Sequence, residues 1–127
     1  MPENPPIRVV VVDDSPVFRE LVVEQVAATP GHELVGTAER GEDALQVVGA
    51  TQPDIVLMDV RMPGIGGIEA AVRIRDAFPD VVLVFMSIDL ASLPDDDRAR
   101  MAGWPQIEKR LLRPSTLASL WQTHRQP

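Results

Sequence analysis

The sequence contains no cysteine and only two histidines, and these absences limit the chemistry that it supports. Without cysteine there are no disulfides and no thiolate nucleophile, and His32 and His124 offer little material for a zinc site. A bound metal ion should therefore be a hard cation with oxygen ligands. No apolar run approaches the roughly 20 residues of a membrane span, and the N-terminal MPENPPIR lacks the features of a signal peptide. These absences predict a cytoplasmic protein that does not bind membranes.

The chain is acidic, with a formal net charge of −7. Nucleic-acid binding requires clustered Lys and Arg against phosphates, so this balance predicts no direct nucleic-acid binding by this chain. The 127 residues, 45% of them hydrophobic, are enough for one domain with a substantial core. We expect residues 1–127 to form a single domain with its core in about 7–121.

Apolar runs without polar alternation predict strands that are buried on both faces. Three such runs cover 7–12, 55–58 and 81–86, and weaker strand candidates lie at 32–38 and 106–109. Helical patterns bounded by proline, glycine or capping residues separate them, at 16–29, 41–52, 66–78, 93–103 and 113–125. This alternation predicts a doubly wound α/β fold, with a parallel sheet and helices on both of its faces.

The first helix has the clearest start and buried face. Ser15 is placed to cap it and Pro16 to occupy its first position. Apolar residues then recur at helical spacing and should face the sheet, namely Phe18, Leu21, Val22 and Val26.

Polar side chains follow the predicted strands at their carboxyl ends, where parallel sheets bind ligands. Asp13 and Asp14 end the first strand, Asp59 the third, Ser87 the fourth and Lys109 the fifth. Any one of these acids alone is more simply a helix cap or turn residue. Three carboxylates at one edge would repel each other unless a cation such as Mg²⁺ neutralised them. With a hydroxyl and an amine beside them, the set favours a site for phosphoryl transfer to a carboxylate nucleophile.

The segments VVVVDDSP, DIVLMDVRMPGIGGIEAAVRIR and VVLVFMS, followed by the late Lys109, resemble the receiver domain of two-component response regulators in order and spacing. DVRMPGIGG is the most specific part. The resemblance implies a flavodoxin-like fold of five parallel strands in the order 2-1-3-4-5 with five flanking helices. It leaves open whether the chain is a single-domain, chemotaxis-like receiver or the receiver of a regulator with a helix-turn-helix output.

The resemblance also implies a role for each matching acid. Asp59 would be the phosphoacceptor and take a phosphoryl group from a sensor histidine kinase. Asp14 and Asp59 would bind Mg²⁺ directly together with the backbone carbonyl of Arg61, and Asp13 would act largely through water. The domain would then switch a surface that binds an output domain or effector protein, with a homodimer on phosphorylation as a further option.

Ser87 and Lys109 would contact the phosphoryl oxygens. Lys109 has a rival in Arg113, because family members often have Lys-Pro here and Arg113-Pro114 is the nearby basic-Pro pair. Lys109 follows Ser87 at the usual distance, whereas choosing Arg113 would leave too little chain for the last helix.

Three positions where the family tunes its switch are Arg61, Asp89 and Gln106. Arg61 and Asp89 flank the acceptor and Ser87, and we expect them to affect loss of the phosphoryl group, with an ion pair between them as one hypothesis. Gln106 occupies a position where many members have an aromatic residue that reports phosphorylation.

Two other classes of protein compete with the phosphorylated switch. A Mg²⁺-dependent phosphatase that forms an aspartyl-phosphate commonly has a second carboxylate two positions after its nucleophile, where this chain has Arg61, and it needs a substrate pocket. A receiver-like interaction module that is never phosphorylated is the other alternative. The resemblance implies no enzyme activity beyond the domain's own phosphorylation and dephosphorylation.

Overall fold

Five parallel strands form one sheet, and the computed structural model describes residues 5–125 of the chain. The sheet has the order β2-β1-β3-β4-β5. This arrangement confirms the predicted strand order, and the predicted boundaries are correct to within one residue. The strands are β1 (Ile7–Val12), β2 (His32–Ala38), β3 (Ile55–Asp59), β4 (Val82–Ser87) and β5 (Gln106–Glu108).

Five α-helices connect and follow the strands, as predicted. They are α1 (Pro16–Ala27), α2 (Gly41–Thr51), α3 (Gly66–Ala77), α4 (Asp95–Met101) and α5 (Pro114–His124). Two short 3-10 turns, Leu90–Ser92 and Lys109–Leu111, were not predicted. The second of them ends β5 at Glu108, so Lys109 lies just after the strand rather than in it. In the described part of the chain, no helix has the length and apolar character needed to cross a bilayer.

The core has two layers, one on each face of the sheet. Alternate residues of β1 point to opposite sides, so Val10 and Val12 pack towards α2, α3 and α4, while Val9 and Val11 pack towards α1 and α5. Every residue of β3 and β4 is buried. The predicted burial of the central strands on both faces is therefore confirmed.

The start of α1 follows its sequence, but its buried face is narrower than predicted. The Ser15 hydroxyl accepts a hydrogen bond from the backbone N–H of Phe18 at 3.4 Å, which confirms the cap. Val22 and Val26 are buried, whereas Leu21 is 48% exposed, so its predicted burial is wrong. Val22 and Val26 are one turn apart and face the sheet together, and the position before Val22 is rotated away from it.

Candidate functional site

The carboxyl ends of β1, β3, β4 and β5 bring five polar side chains to one edge of the sheet. In the strand register Asp59 pairs with Met86, and the next residue of β4, Ser87, pairs with Glu108. Asp13 and Asp14 directly follow β1, which is hydrogen-bonded to β3. Carboxylate oxygens of Asp13, Asp14 and Asp59 lie within 4.8 Å of one another. Three acids that are far apart in sequence thus form one cluster.

Lys109 reaches this cluster from the turn after β5. Its Nζ lies 2.8 Å from Asp13 Oδ2 and 3.5 Å from Asp59 Oδ2, and Lys109 itself is buried. The ammonium group also lies 4.7 Å from the centre of the Phe18 ring. The Arg113 side chain instead donates hydrogen bonds to backbone carbonyls of the same turn. The geometry therefore favours Lys109 over Arg113 as the basic residue of the site.

Asp13 is fully buried and its two carboxylate oxygens have different surroundings. Oδ1 accepts a hydrogen bond from the backbone N–H of Ser15 at 2.9 Å. Oδ2 is buried without a hydrogen bond, so its 2.8 Å contact with Lys109 is an ion pair of poor hydrogen-bond geometry. A buried carboxylate oxygen with free lone pairs is costly and is normally satisfied by a further polar group or ion.

The donor set fits a hard divalent cation. Mg²⁺ prefers oxygen ligands at about 2.0–2.1 Å, so two ligands on opposite sides of the ion are about 4.2 Å apart. Adjacent ligands of the same octahedral ion are only about 2.9 Å apart, so the carboxylate oxygens of Asp13, Asp14 and Asp59, which lie within 4.8 Å of one another, would hold the ion after a side-chain movement or with one of them bound through water. Asp13 Oδ2, which makes no hydrogen bond besides its ion pair with Lys109, lies in the same cluster.

The electrostatics of the cluster act most strongly on Asp59. Burial raises the pKa of Asp59 to about 7; the positive charge of Lys109 opposes this effect, and the neighbouring Asp13 and Asp14 reinforce it. An ionised carboxylate at this position lowers the stability of the folded domain. The chain keeps three acids together at a free-energy cost, as expected of a binding site.

The remaining predicted site residues lie around the cluster. Ser87 is buried at the end of β4, and Arg61 is exposed on the loop after β3. Within residues 5–125 no ion pair joins Arg61 to Asp89, and Oδ1 of Asp89 accepts a hydrogen bond from the backbone N–H of Ala91. Gln106 is exposed, and its side-chain amide donates to the Met101 carbonyl at the end of α4. The hypothesis of an Arg61 to Asp89 pair is therefore not supported.

Two residues beside the site were missed by the sequence analysis. Arg19 donates a hydrogen bond to the backbone carbonyl of Asp13, and Glu42 accepts one from the backbone N–H of Ile65. Both contacts join segments whose closeness is set by the tertiary fold. A charged residue on a helix has no local pattern that distinguishes such a contact from an exposed surface position.

The fold and site together define a flavodoxin-like domain with an acidic centre at the carboxyl edge of its sheet. Comparison with known families identifies it further. Residues 9–118 match the family described as the response regulator receiver domain, and the chain belongs to this family of two-component signalling domains. Receiver domains bind Mg²⁺ at an aspartate cluster and work with histidine kinases and output domains.

Curated relatives support the same assignment over part of their length. Response regulator GacA of Pseudomonas aeruginosa is 42% identical over 82 residues, which are 65% of this chain and 38% of that protein. A protein-glutamate methylesterase/protein-glutamine glutaminase of Nocardioides sp. is 47% identical over 83 residues, which are 65% of this chain and 23% of that protein. The chain thus spans less than two fifths of either relative.

Solved structures match over nearly the whole chain. The signal receiver domain of the response regulator NarL from Mycobacterium tuberculosis superimposes with a TM-score of 0.80 and 28% identity, covering 95% of this chain and all of that one. The response regulator domain of Thermotoga maritima CheB gives a TM-score of 0.77 and 26% identity, covering 92% of this chain and 95% of that one. Both support the receiver fold described above.

Proposed function

We propose that this domain accepts a phosphoryl group on Asp59 from a sensor histidine kinase, with Mg²⁺ bound, and thereby switches a surface that binds an output domain or effector. The cluster itself carries the proposal. Three carboxylates lie within 4.8 Å of one another, and the buried Lys109 pairs with two of them. The family relationship supports the same reading.

Different residues of the site would bind the metal ion and balance the charge of the phosphoryl group. Asp14 and Asp59, with the backbone carbonyl of Arg61, would hold the metal ion directly, and Asp13 would hold it largely through water. When bound, Mg²⁺ supplies positive charge that keeps these carboxylates ionised and balances the phosphoryl oxygens. Lys109 adds a fixed positive charge from the other side of the cluster.

In the transfer step an ionised Asp59 oxygen forms a bond to phosphorus while the bond from phosphorus to the donor histidine nitrogen breaks. The electron pair of the broken bond stays on the imidazole, and the product is an aspartyl-phosphate. Lys109 then pairs with a phosphoryl oxygen, and the Ser87 hydroxyl donates a hydrogen bond to another. A dianionic group thus draws the end of β4 towards the acceptor.

Polar contacts from β5 link this movement to α4. The Glu108 carboxylate accepts a hydrogen bond from the backbone N–H of Leu90 at 3.1 Å, and the Gln106 amide donates to the Met101 carbonyl at 2.9 Å. These two β5 side chains hold the segments before and at the end of α4. Movement of the loop after Ser87 would therefore alter the α4 and β5 surface, which we propose as the surface for the output partner or for a second copy of the domain.

Apolar side chains on the other side of the site suit the docking of a phosphodonor protein. Val17 and Leu21 on α1 are 68% and 48% exposed, and Leu111 after Lys109 is 50% exposed. The half-buried Phe18 and Leu21 line one cavity together with Lys109, so this part of the apolar patch lies beside the acidic cluster. A histidine-bearing helix that covered this patch would bring its phosphoryl group next to Asp59.

Asp59→Asn should abolish phosphorylation. Incubating the protein with Mg²⁺ and acetyl phosphate should add the mass of one phosphoryl group to the wild-type chain, and intact-protein mass spectrometry should show no gain for Asp59→Asn. Asp76→Asn is the matched control, because Asp76 is an exposed acid on α3 whose only described partner is Arg75.

The same experiment separates the competing functions. A stable mass gain that depends on Asp59 supports the switch, whereas rapid turnover of acetyl phosphate without a stable gain would indicate a phosphatase. Absence of reaction in Mg²⁺ would indicate a receiver-like module that is not phosphorylated. Labelling that persists in Asp59→Asn would contradict the assignment of the acceptor.

A further inference from the structure

Arg19 connects the acidic cluster to the edge of the sheet through two contacts. Its Nη1 donates a hydrogen bond of 2.8 Å to the backbone carbonyl of Asp13, and its Nη2 lies 3.1 Å from Glu39 Oε1. The Arg19 side chain is mostly buried, with 19% of its area exposed. The Glu39 side chain is 67% exposed, so the hydrogen bond to the Asp13 carbonyl is the stronger of the two contacts. It adds to the backbone hydrogen bond of 3.0 Å from the Asp13 N–H to the Ala38 carbonyl, and together they hold Asp13 at the end of β2.

Glu42 makes the corresponding contact with the loop after β3. Its Oε1 accepts a hydrogen bond of 3.0 Å from the backbone N–H of Ile65, and this bond lowers the pKa of the Glu42 carboxyl. The contact is close because residue 64 is glycine: a Cβ at Gly64 would lie 2.6 Å from the same carboxylate oxygen. The loop that continues from Asp59 through Arg61 is thus attached to the first turn of α2.

We propose that the β2–α2 segment, residues 39–42, positions the metal site through two contacts, the Glu39 contact with Arg19 of α1 and the Glu42 contact with Ile65. Neither Arg19 nor any side chain of the segment belongs to the acidic cluster. The segment holds the loop that carries Asp13 and Asp14 on one side, and the loop that follows Asp59 on the other. This inference rests on the proposed function, since it concerns the affinity of the same site for Mg²⁺.

The physical reason is the geometry that the cation demands. Mg²⁺ requires nearly octahedral oxygen ligands, so each loop that bears a ligand must be held to within a few tenths of an ångström. The Ser15 hydrogen bond fixes only one oxygen of Asp13. Arg19 and Glu42 act on the backbone of the two loops, and residues that orient ligands in this way commonly affect metal affinity strongly.

A pure charge effect and a positioning effect of Arg19 predict opposite changes in Mg²⁺ affinity. Arg19 is a cation near a cation site, so removing its charge should tighten Mg²⁺ binding if only electrostatics mattered. If Arg19 positions Asp13, its removal should weaken binding instead. Arg19→Lys keeps the charge but cannot reach both partners with one ammonium group, so only positioning predicts a loss.

Isothermal titration calorimetry of the wild-type protein and its variants with MgCl₂ measures the change in Mg²⁺ affinity. Arg19→Gln and Arg19→Lys should each bind Mg²⁺ about tenfold more weakly than the wild type, at the lower end of the range for residues that orient metal ligands. Glu39→Gln should also weaken binding, and the Arg19→Gln/Glu39→Gln double variant should be no weaker than Arg19→Gln alone, because both changes break the same contact.

Two variants at Glu42 isolate its hydrogen bond from its charge. Glu42→Gln keeps an acceptor for the Ile65 N–H, whereas Glu42→Ala removes it, and both lose one negative charge. Positioning predicts weaker Mg²⁺ binding for Glu42→Ala than for Glu42→Gln, and a pure charge effect predicts equal binding. Arg75→Gln serves as the control, since it removes an exposed arginine in the last turn of α3 that pairs with Asp76.

The outcomes distinguish this inference from the proposed function. If the wild-type protein binds no Mg²⁺, the proposed function fails. If the wild type binds Mg²⁺ but Arg19→Gln and Arg19→Lys bind it equally well or more tightly, the positioning inference is wrong and the function stands. Melting curves with and without Mg²⁺ separate loss of folding from loss of positioning. A variant that folds poorly has a lower melting temperature in EDTA. A variant that only positions the ligands poorly melts like the wild type in EDTA, but its melting temperature rises less when Mg²⁺ is added.

Discussion

Asp59→Asn is expected to stabilise the folded domain by on the order of 3 kcal/mol at about pH 8 when Mg²⁺ has been removed. The reason is the raised pKa of Asp59, about 7 in the folded protein against 3.8 as its ordinary value. At alkaline pH the ionised carboxylate is buried beside two other acids, and folding works against this charge. Asparagine has nearly the same shape without the charge. Urea unfolding in EDTA, followed by the fluorescence of the two tryptophans, measures the difference.

The sign of the pH dependence is part of this prediction. A carboxyl group whose pKa is raised by folding favours the folded state fully only below its ordinary value of 3.8, and this contribution is lost as the pH rises through about 7. The stability of the wild type should therefore fall relative to Asp59→Asn between these values and then run parallel to it. A gap that narrows with rising pH, or is absent at pH 8, would contradict the account.

Mg²⁺ should narrow the difference in stability between the wild type and Asp59→Asn. Ligand binding stabilises the folded state in proportion to the logarithm of ligand concentration over Kd. The wild type should gain more stability from the ion than Asp59→Asn, because the variant loses one carboxylate from the cluster. Asp76→Asn, at an exposed position of α3, should follow the wild type with and without the ion.

The sequence patterns were sufficient for a parallel α/β sheet because three of its strands are clear, and the family resemblance supplied the strand order. Apart from Arg8 and the terminal Asp59 and Ser87, the runs that form β1, β3 and β4 are apolar, and this pattern is typical of strands with helices on both faces. Once the sheet is parallel, the carboxyl ends of its strands must share an edge. The closeness of Asp13, Asp14 and Asp59 then follows from topology, without any knowledge of side-chain contacts.

Other features depend on packing that no local pattern reveals. The exposure of Leu21 depends on how far α1 is rotated against the sheet, and its helical spacing alone does not fix that rotation. The turn that begins at Lys109 interrupts a strand of only three residues, too short to give a pattern. Arg19 and Glu42 bind backbone atoms of other loops, so their partners are not identifiable from side-chain types in the sequence.

Gly67→Ala is expected to destabilise the domain by about 3 kcal/mol or more and to weaken Mg²⁺ binding. Gly67 lies in the first turn of α3, where the helix approaches the end of β3 so closely that a Cβ would lie 1.9 Å from the backbone carbonyl oxygen of Asp59 and 3.0 Å from the Cα of Val60. These are backbone atoms of a buried strand, so the helix must move away or the strand end must shift. Urea unfolding in EDTA measures the loss of stability.

Gly49→Ala is the matched control, because it adds the same methyl group in the interior of a helix. The nearest atom to a Cβ at Gly49 is Phe78 Cζ at 3.5 Å, an ordinary contact, and the residue is exposed on α2. Alanine there should stabilise the domain by about 0.5–1 kcal/mol through its higher helix propensity. If the free energy of unfolding falls for Gly67→Ala and rises for Gly49→Ala, then α3 can pack against the strand that carries Asp59 only when residue 67 has no side chain. A Gly67→Ala variant as stable as Gly49→Ala would mean that the helix and strand are not in such close contact.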